Sequence, residues 1–260
     1  MTINPSTAAA DRVSQEPAPP SLRLLQAYNG PHGSANGGFA CGTFAQLVSG
    51  PAAVRLDRKV PLERDFVARR TGDGGFSVHD ADQRVASVSH TATFKDQPPI
   101  IPTYEAAVAA RAAHPLRAVR HPLSDCVVCG PERSDGLHVT PGPLAGMPQV
   151  LASPFVVRPE FATNGMASVE SVWGALDCVS YPADLLSGGR LAHLGTLAVD
   201  IHRSFDIGEE LIALGWKVGS GTRSHSTASA LVDAASQVVA SGRAVWVEAK
   251  KLDAQAQQLG

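Results

Sequence analysis

The sequence predicts an α+β chain of two like halves, each an antiparallel sheet wrapped round one central helix. Three observations carry this. The stretch Val54-Arg55-Leu56-Asp57-Arg58-Lys59-Val60-Pro61-Leu62 is echoed by Val199-Asp200-Ile201-His202-Arg203-Ser204-Phe205-Asp206-Ile207. In both, apolar residues alternate with the period of two that a half-buried strand needs, and an Arg follows at the same step. A second echo follows in the same order: Asp80-Ala81 leads to Val85-Ala86-Ser87, and Asp233-Ala234 leads to Val239-Ala240-Ser241. Each Asp-Ala sits where a hairpin turn is expected. Two echoes in one order suggest an internal duplication. Third, a weakly polar segment rich in small residues precedes each set of strands.

Those segments are Gly37 to about Ser49 and Ser168 to about Tyr181. A helix that is apolar nearly all round belongs inside a structure, and its Gly and Ala let a sheet approach closely. One sheet around one buried helix is the hotdog arrangement, so the chain is expected to be a double hotdog. The expected divisions are a disordered tail over 1–20, an N-terminal hotdog over 21–98, a Pro- and Gly-rich connector over 99–150, a C-terminal hotdog over 151–249 and a frayed tail over 250–260. Tyr104–Ala113 is a candidate short amphipathic helix in the connector. The two sheets are expected to meet edge to edge, since a long open edge invites aggregation.

Composition excludes several classes. The chain has 260 residues, 44% of them apolar, and a formal charge of -2. That suffices for a core and points no strong field at nucleic acid or anionic lipid. No apolar run approaches the roughly 18–20 residues of a membrane span, and the first residues lack the apolar stretch of a secretory signal. The four cysteines suggest no disulfide framework. The expectation is a cytoplasmic protein with reduced thiols that binds neither nucleic acid nor membrane. No GxSxG elbow, Walker loop or GxGxxG is present, which disfavours a serine α/β-hydrolase and nucleotide-driven chemistry.

The C-terminal half resembles the type II acyl-CoA thioesterases, a double-hotdog family. Ala175-Leu176-Asp177, His202-Arg203-Ser204-Phe205 and Val238-Val239-Ala240-Ser241 carry the likeness. In the N-terminal half, Asn36-Gly37-Gly38 is similar to the Gly-Gly that opens the equivalent helix. The order of elements matches over roughly Pro31–Glu248, with short motifs. The resemblance implies a catalytic set of an Asp, a Thr and a Gln. Asp177 matches the Asp, and Thr196 lies near the Thr if a small gap is allowed. The Gln has no counterpart, since the chain reads Gly242-Arg243-Ala244 there.

The residues themselves suggest how such a site would work. A carboxylate between Leu176 and Cys178 costs several kcal/mol unless it is partnered or reaches a cleft. A cleft would make Asp177 a general base or nucleophile; otherwise it ties its helix to a neighbouring strand or to the other half. Asn36 is a good N-cap, and the amides of Gly37, Gly38 and Phe39 at that helix start could polarise a thioester carbonyl or serve capping and packing alone. His32 is either an acid–base group or a loop histidine. His202 and Arg203 are read as strand residues with structural or interface roles.

Cys126 and Cys129 form one CxxC. Cys178, Cys41 and His138 could complete a zinc site, but no second knuckle is present, so the pair is expected to carry no metal. No cofactor is implied. Three functions stay open: hydrolysis of an acyl-CoA or acyl-carrier thioester, acyl-thioester binding or scaffolding without turnover, and a hotdog hydratase or dehydratase pairing His32 with Asp177. A homodimer is a possible assembly.

Overall fold

The structure is a computed structural model and describes residues 22–31 and 33–249. The expected tails and His32 lie outside the described residues. Four helices are described: α1 (Gly37–Ala45), α2 (Tyr104–Ala112), α3 (Val169–Val179) and α4 (Ala183–Ser187). The first strands are β1 (Leu22–Arg23), β2 (Ala52–Leu56), β3 (Asp65–Arg70), β4 (Phe76–Asp80) and β5 (Gln83–His90). Next come β6 (Gly142–Leu144), β7 (Met147–Val156), β8 (Ala162–Thr163) and β9 (Met166–Ala167). The last are β10 (Ala192–Ile201), β11 (Glu210–Ser220), β12 (Ser224–Val232) and β13 (Val238–Glu248).

The two expected sheet edges pair with one another, β2 against β10, so that one continuous 11-stranded sheet is found, in the order β1-β3-β4-β5-β2-β10-β13-β12-β11-β7-β6. Every pairing in it is antiparallel. The junction is β2 against β10, and at its centre Ala53 faces Ala198. The sequence echo that equates Val54 with Val199 also equates Ala53 with Ala198. Equivalent residues therefore face one another, as a local two-fold axis through that pair requires. Strand order runs outward from the junction the same way on both sides: β2, β5, β4, β3 on one and β10, β13, β12, β11 on the other.

Alternation assigns the faces. On β11, Leu211 and Ala213 belong to the core that holds α1 and α3, while Ile212 and Leu214 pack with Ala107 and Ala110 of α2. Successive strand side chains point to opposite faces, so α2 covers the back of the sheet at its C-terminal end. Both core helices start at side-chain caps, Asn36 accepting from the Phe39 amide and Ser168 from the Ser171 amide. They cross with the first turn of α1 beside the last turns of α3. A Cβ on Gly38 would lie 2.5 Å from Asp177 Cβ and 2.6 Å from the Trp173 carbonyl oxygen, and one on Gly42 would lie 2.8 Å from Glu170 Cα. Glycine at 38 and 42, one turn apart, is what lets the backbones meet.

Two strand expectations need correction. β10 ends at Ile201, so His202 and Arg203 lie in the loop beyond it. Arg203 ties that loop down by ion pairs to Glu209 at 2.6 Å and Asp233 at 3.0 Å. The end of the expected connector is already sheet: β6 and β7 turn through Gly146, at φ 78°, and join the β11 edge. No helix among the described residues is long and apolar enough to cross a membrane.

Candidate functional site

Asp177 is 2% exposed in the last turns of α3. Its Oδ2 accepts the Gly38 amide of α1 at 2.8 Å, while Oδ1 has no hydrogen-bond partner. Burial pushes its carboxyl up to about 7, aided by the Cys126 sulfur and opposed by the Gly38 amide and the Asn36 side chain. Asn36 is itself buried; its Oδ1 accepts the Phe39 amide at 2.9 Å and its Nδ2 points at the sulfurs of Cys126 and Cys178.

These groups border a cavity of about 760 Å³. The start of α1, the end of α3, the start of β10, the end of β13 and the loop after α2 all line it, so both halves contribute. Leu56, Leu123, Leu194 and Trp246 supply apolar wall, and Arg58, Lys59, Arg120, Arg190 and Arg223 stand exposed along it. An apolar chamber with a cationic margin suits a ligand with an apolar end and an anionic end.

The structure brings together Asp177, Asn36 and Gly37 and redistributes the other candidates. The expected oxyanion donors Gly38 and Phe39 are already engaged, by Asp177 and Asn36 respectively. Gly37, whose amide has no partner among the described residues, is the start-of-helix donor that borders the cavity. Thr196 does not reach the site. A bulge in β10 between Leu194 and Thr196 turns Leu194 and Leu197 both toward the helices, and Thr196 stands opposite the exposed Val245 on the far face. Where the Gln would stand, a Cβ on Gly242 would already touch Leu176 at 3.3 Å. Arg243 points away and pairs with Asp96 at 2.7 Å.

Two histidines escaped the sequence reading. His114 and His121 line the same cavity and stack at 6.3 Å. Each begins a His-Pro-Leu tripeptide, and in each Nδ1 accepts the amide two residues on, Leu116 at 3.1 Å and Leu123 at 3.3 Å. That leaves the proton on Nε2 in the neutral ring, and His121 Nε2 is buried without a partner. Burial holds both below the ordinary histidine range, His114 at about 4. The repeated tripeptide was the available signal.

Cys178 also comes in from α3 to meet the CxxC. The sulfurs of Cys126, Cys129 and Cys178 all lie within 4.8 Å of one another and border the cavity. The four cysteines are free thiols.

No protein-family model and no curated protein matches the chain. Solved structures do align with part of it. A Streptococcus mutans protein bound to acetyl CoA is 17% identical, covering 40% of this chain and 83% of its own, at a TM-score of 0.37. Zebra fish thioesterase superfamily member 2 is 14% identical, covering 57% of this chain and 99% of its own, at 0.41. Escherichia coli PaaI, from the phenylacetic acid degradation operon, is 16% identical, covering 38% of this chain and 76% of its own, at 0.36.

Proposed function

We propose that the chain is a double hotdog that binds an acyl thioester, acyl-CoA or acyl-carrier, in the cavity between its halves and hydrolyses it with Asp177 as general base or nucleophile. One observation carries the reading. A buried carboxylate is held by an amide in the first turn of the facing helix, its second oxygen is buried and unpaired, and the residue borders a cavity that both halves line. An isolated structural carboxylate would be expected to have both oxygens satisfied. The mirrored strand order about Ala53 and Ala198 supports the double-hotdog part.

In this reading the acyl chain lies against the apolar wall and the anionic carrier portion against the cationic margin. The Gly37 amide, at a helix N-terminus, faces charge developing on the thioester oxygen. Asp177 Oδ1 either takes a proton from a water whose oxygen attacks the carbonyl carbon and expels the thiolate, or attacks that carbon itself, expelling the thiolate and leaving a mixed anhydride that water then hydrolyses to the free acid and Asp177.

Binding without turnover is the second reading. It is favoured by the outward Thr196 and by the lack of room for a long side chain at Gly242. Acyl-CoAs of increasing chain length, with released CoA followed chromatographically and affinity measured by calorimetry, separate the two. CoA release that disappears in Asp177→Asn supports hydrolysis. Saturable binding without release supports the second reading, and no binding of any acyl-CoA or acyl-carrier thioester overturns both.

A further inference from the structure

We infer that Cys126, Cys129 and Cys178 form a binding site for a thiolate-preferring divalent cation, zinc foremost, whose fourth coordination position opens into the cavity. This stands independently of the thioester reading.

The spacing fits. Three sulfurs on a tetrahedral zinc at about 2.3 Å stand roughly 3.8 Å apart, and here all lie within 4.8 Å of one another. Small side-chain rotations close that difference. The CxxC is also shaped as a ligand turn. The Gly130 amide donates to the Cys126 carbonyl at 2.9 Å, closing the turn. A Cβ on Gly130 would lie 2.5 Å from the Cys126 nitrogen and oxygen, so the turn needs glycine after its second Cys.

The turn is anchored on three sides. Val127 donates to the Asn29 carbonyl at 2.8 Å, and the Val127 and Val128 carbonyls accept from Leu137 at 2.8 Å and Val139 at 2.9 Å. Two ligands are thus fixed before any ion arrives, and α3 supplies the third. Asn36 Nδ2 lies 3.6 Å from the Cys126 sulfur and 3.5 Å from that of Cys178. Amide donors on ligating sulfurs are the outer-shell partners that orient such ligands and spread their charge. Sulfur donors without oxygen or nitrogen in the group select a soft or borderline ion over magnesium or calcium.

Among the described residues no fourth His, Cys, Asp or Glu joins the group, and all three cysteines border the cavity. Three protein ligands with one open position is the pattern of a zinc that exchanges its fourth ligand. The expectation from sequence that the CxxC carries no metal lacked the contact with Cys178.

The test uses the whole chain purified without chelator and kept reduced by a phosphine. Elemental analysis should find close to one zinc per chain. After stripping, cobalt(II) should restore a thiolate-to-metal charge-transfer band at one equivalent. Cys178→Ser and Cys129→Ser, each checked for fold by circular dichroism, should weaken cobalt binding at least tenfold, while Cys41→Ala should bind as the wild type does. Added 2-mercaptoethanol should shift the cobalt ligand-field bands by taking the fourth position. Folded wild-type protein that holds no zinc and gives no cobalt band overturns the site, as does a disulfide among the three cysteines in the reduced protein. Undiminished binding in both serine variants overturns the ligand assignment, and bands unmoved by the thiol overturn the open position.

Discussion

Replacing Gly38 by Ala adds one methyl group where α1 meets α3, and the structure allows its effect to be worked through. The new Cβ would stand 2.5 Å from Asp177 Cβ, 2.6 Å from the Trp173 carbonyl oxygen and 2.7 Å from Gly174 Cα. Carbon atoms rest at about 3.5–4.0 Å, so the helices must part by about 1 Å. Overpacking of this kind costs about 1–3 kcal/mol. Parting the helices also stretches the Gly38 amide bond to Asp177, and a hydrogen bond to a charged group is worth about 1.5–3 kcal/mol. Against this, Ala is favoured over Gly within a helix by up to about 1 kcal/mol. The balance is a loss of about 1.5–5 kcal/mol. Urea unfolding followed by circular dichroism reads it directly. Gly72→Ala, where no heavy atom lies within 4 Å, is the control and should change stability by less than about 0.5 kcal/mol. A Gly38→Ala protein as stable as the wild type would refute the close helix contact and, with it, the seating of Asp177.

Asp177→Asn keeps the side-chain shape and should lower turnover of a cleaved acyl-CoA by about 10²–10⁴-fold; unchanged turnover in the folded variant removes Asp177 from the chemistry. Thr196→Ala should leave kcat within about twofold, because Thr196 faces away from the cavity; a loss resembling that of Asp177→Asn would contradict the placement of the β10 bulge. His114, held near 4 mainly by burial, takes up a proton more readily unfolded than folded. Its contribution is therefore complete above pH about 6.5 and is lost as pH falls toward about 4; the ceiling of about 3 kcal/mol becomes about 1–2 because the ring keeps some solvent contact. Thermal unfolding of His114→Gln between those pH values should show a flatter slope than the wild type, and an equal slope would rule His114 out as the source.

Much of the frame was legible because it depends on local pattern. The apolar, Gly-rich segments could only be buried helices, and both begin at the residues that cap them, Asn36 and Ser168. Asp80 and Asp233 sit at hairpin turns, as the echo suggested. Asp177 stood out because a carboxylate in an apolar helix needs a reason. What stayed hidden depends on contacts distant in sequence or on single-residue irregularities. The bulge before Thr196 shifts alternation by one step and sends the side chain to the other face, which periodicity alone does not reveal. The Gly38 amide looked free because its acceptor, Asp177, is recognised only once the helices are docked, whereas the Phe39 amide is taken by the local cap Asn36. The meeting of Cys178 with the CxxC is of the same kind.

The local two-fold about Ala53 and Ala198 has a counterpart at the other end of the helix pair. There the start of α3 meets the end of α1, and the contact is a Gln46 side-chain bond to Glu170 at 2.7 Å. α1 contains no acidic residue at all, so nothing there plays the part that Asp177 plays toward Gly38. A symmetric pair of separate chains would carry two copies of the carboxylate pocket and would have to conserve both. If the chain is the double hotdog proposed above, joining both halves in one polypeptide releases one copy from that constraint, leaving it free to serve as scaffold while the other specialises. The chain should accordingly saturate with a single equivalent of ligand, with no second occupancy and no cooperativity to explain.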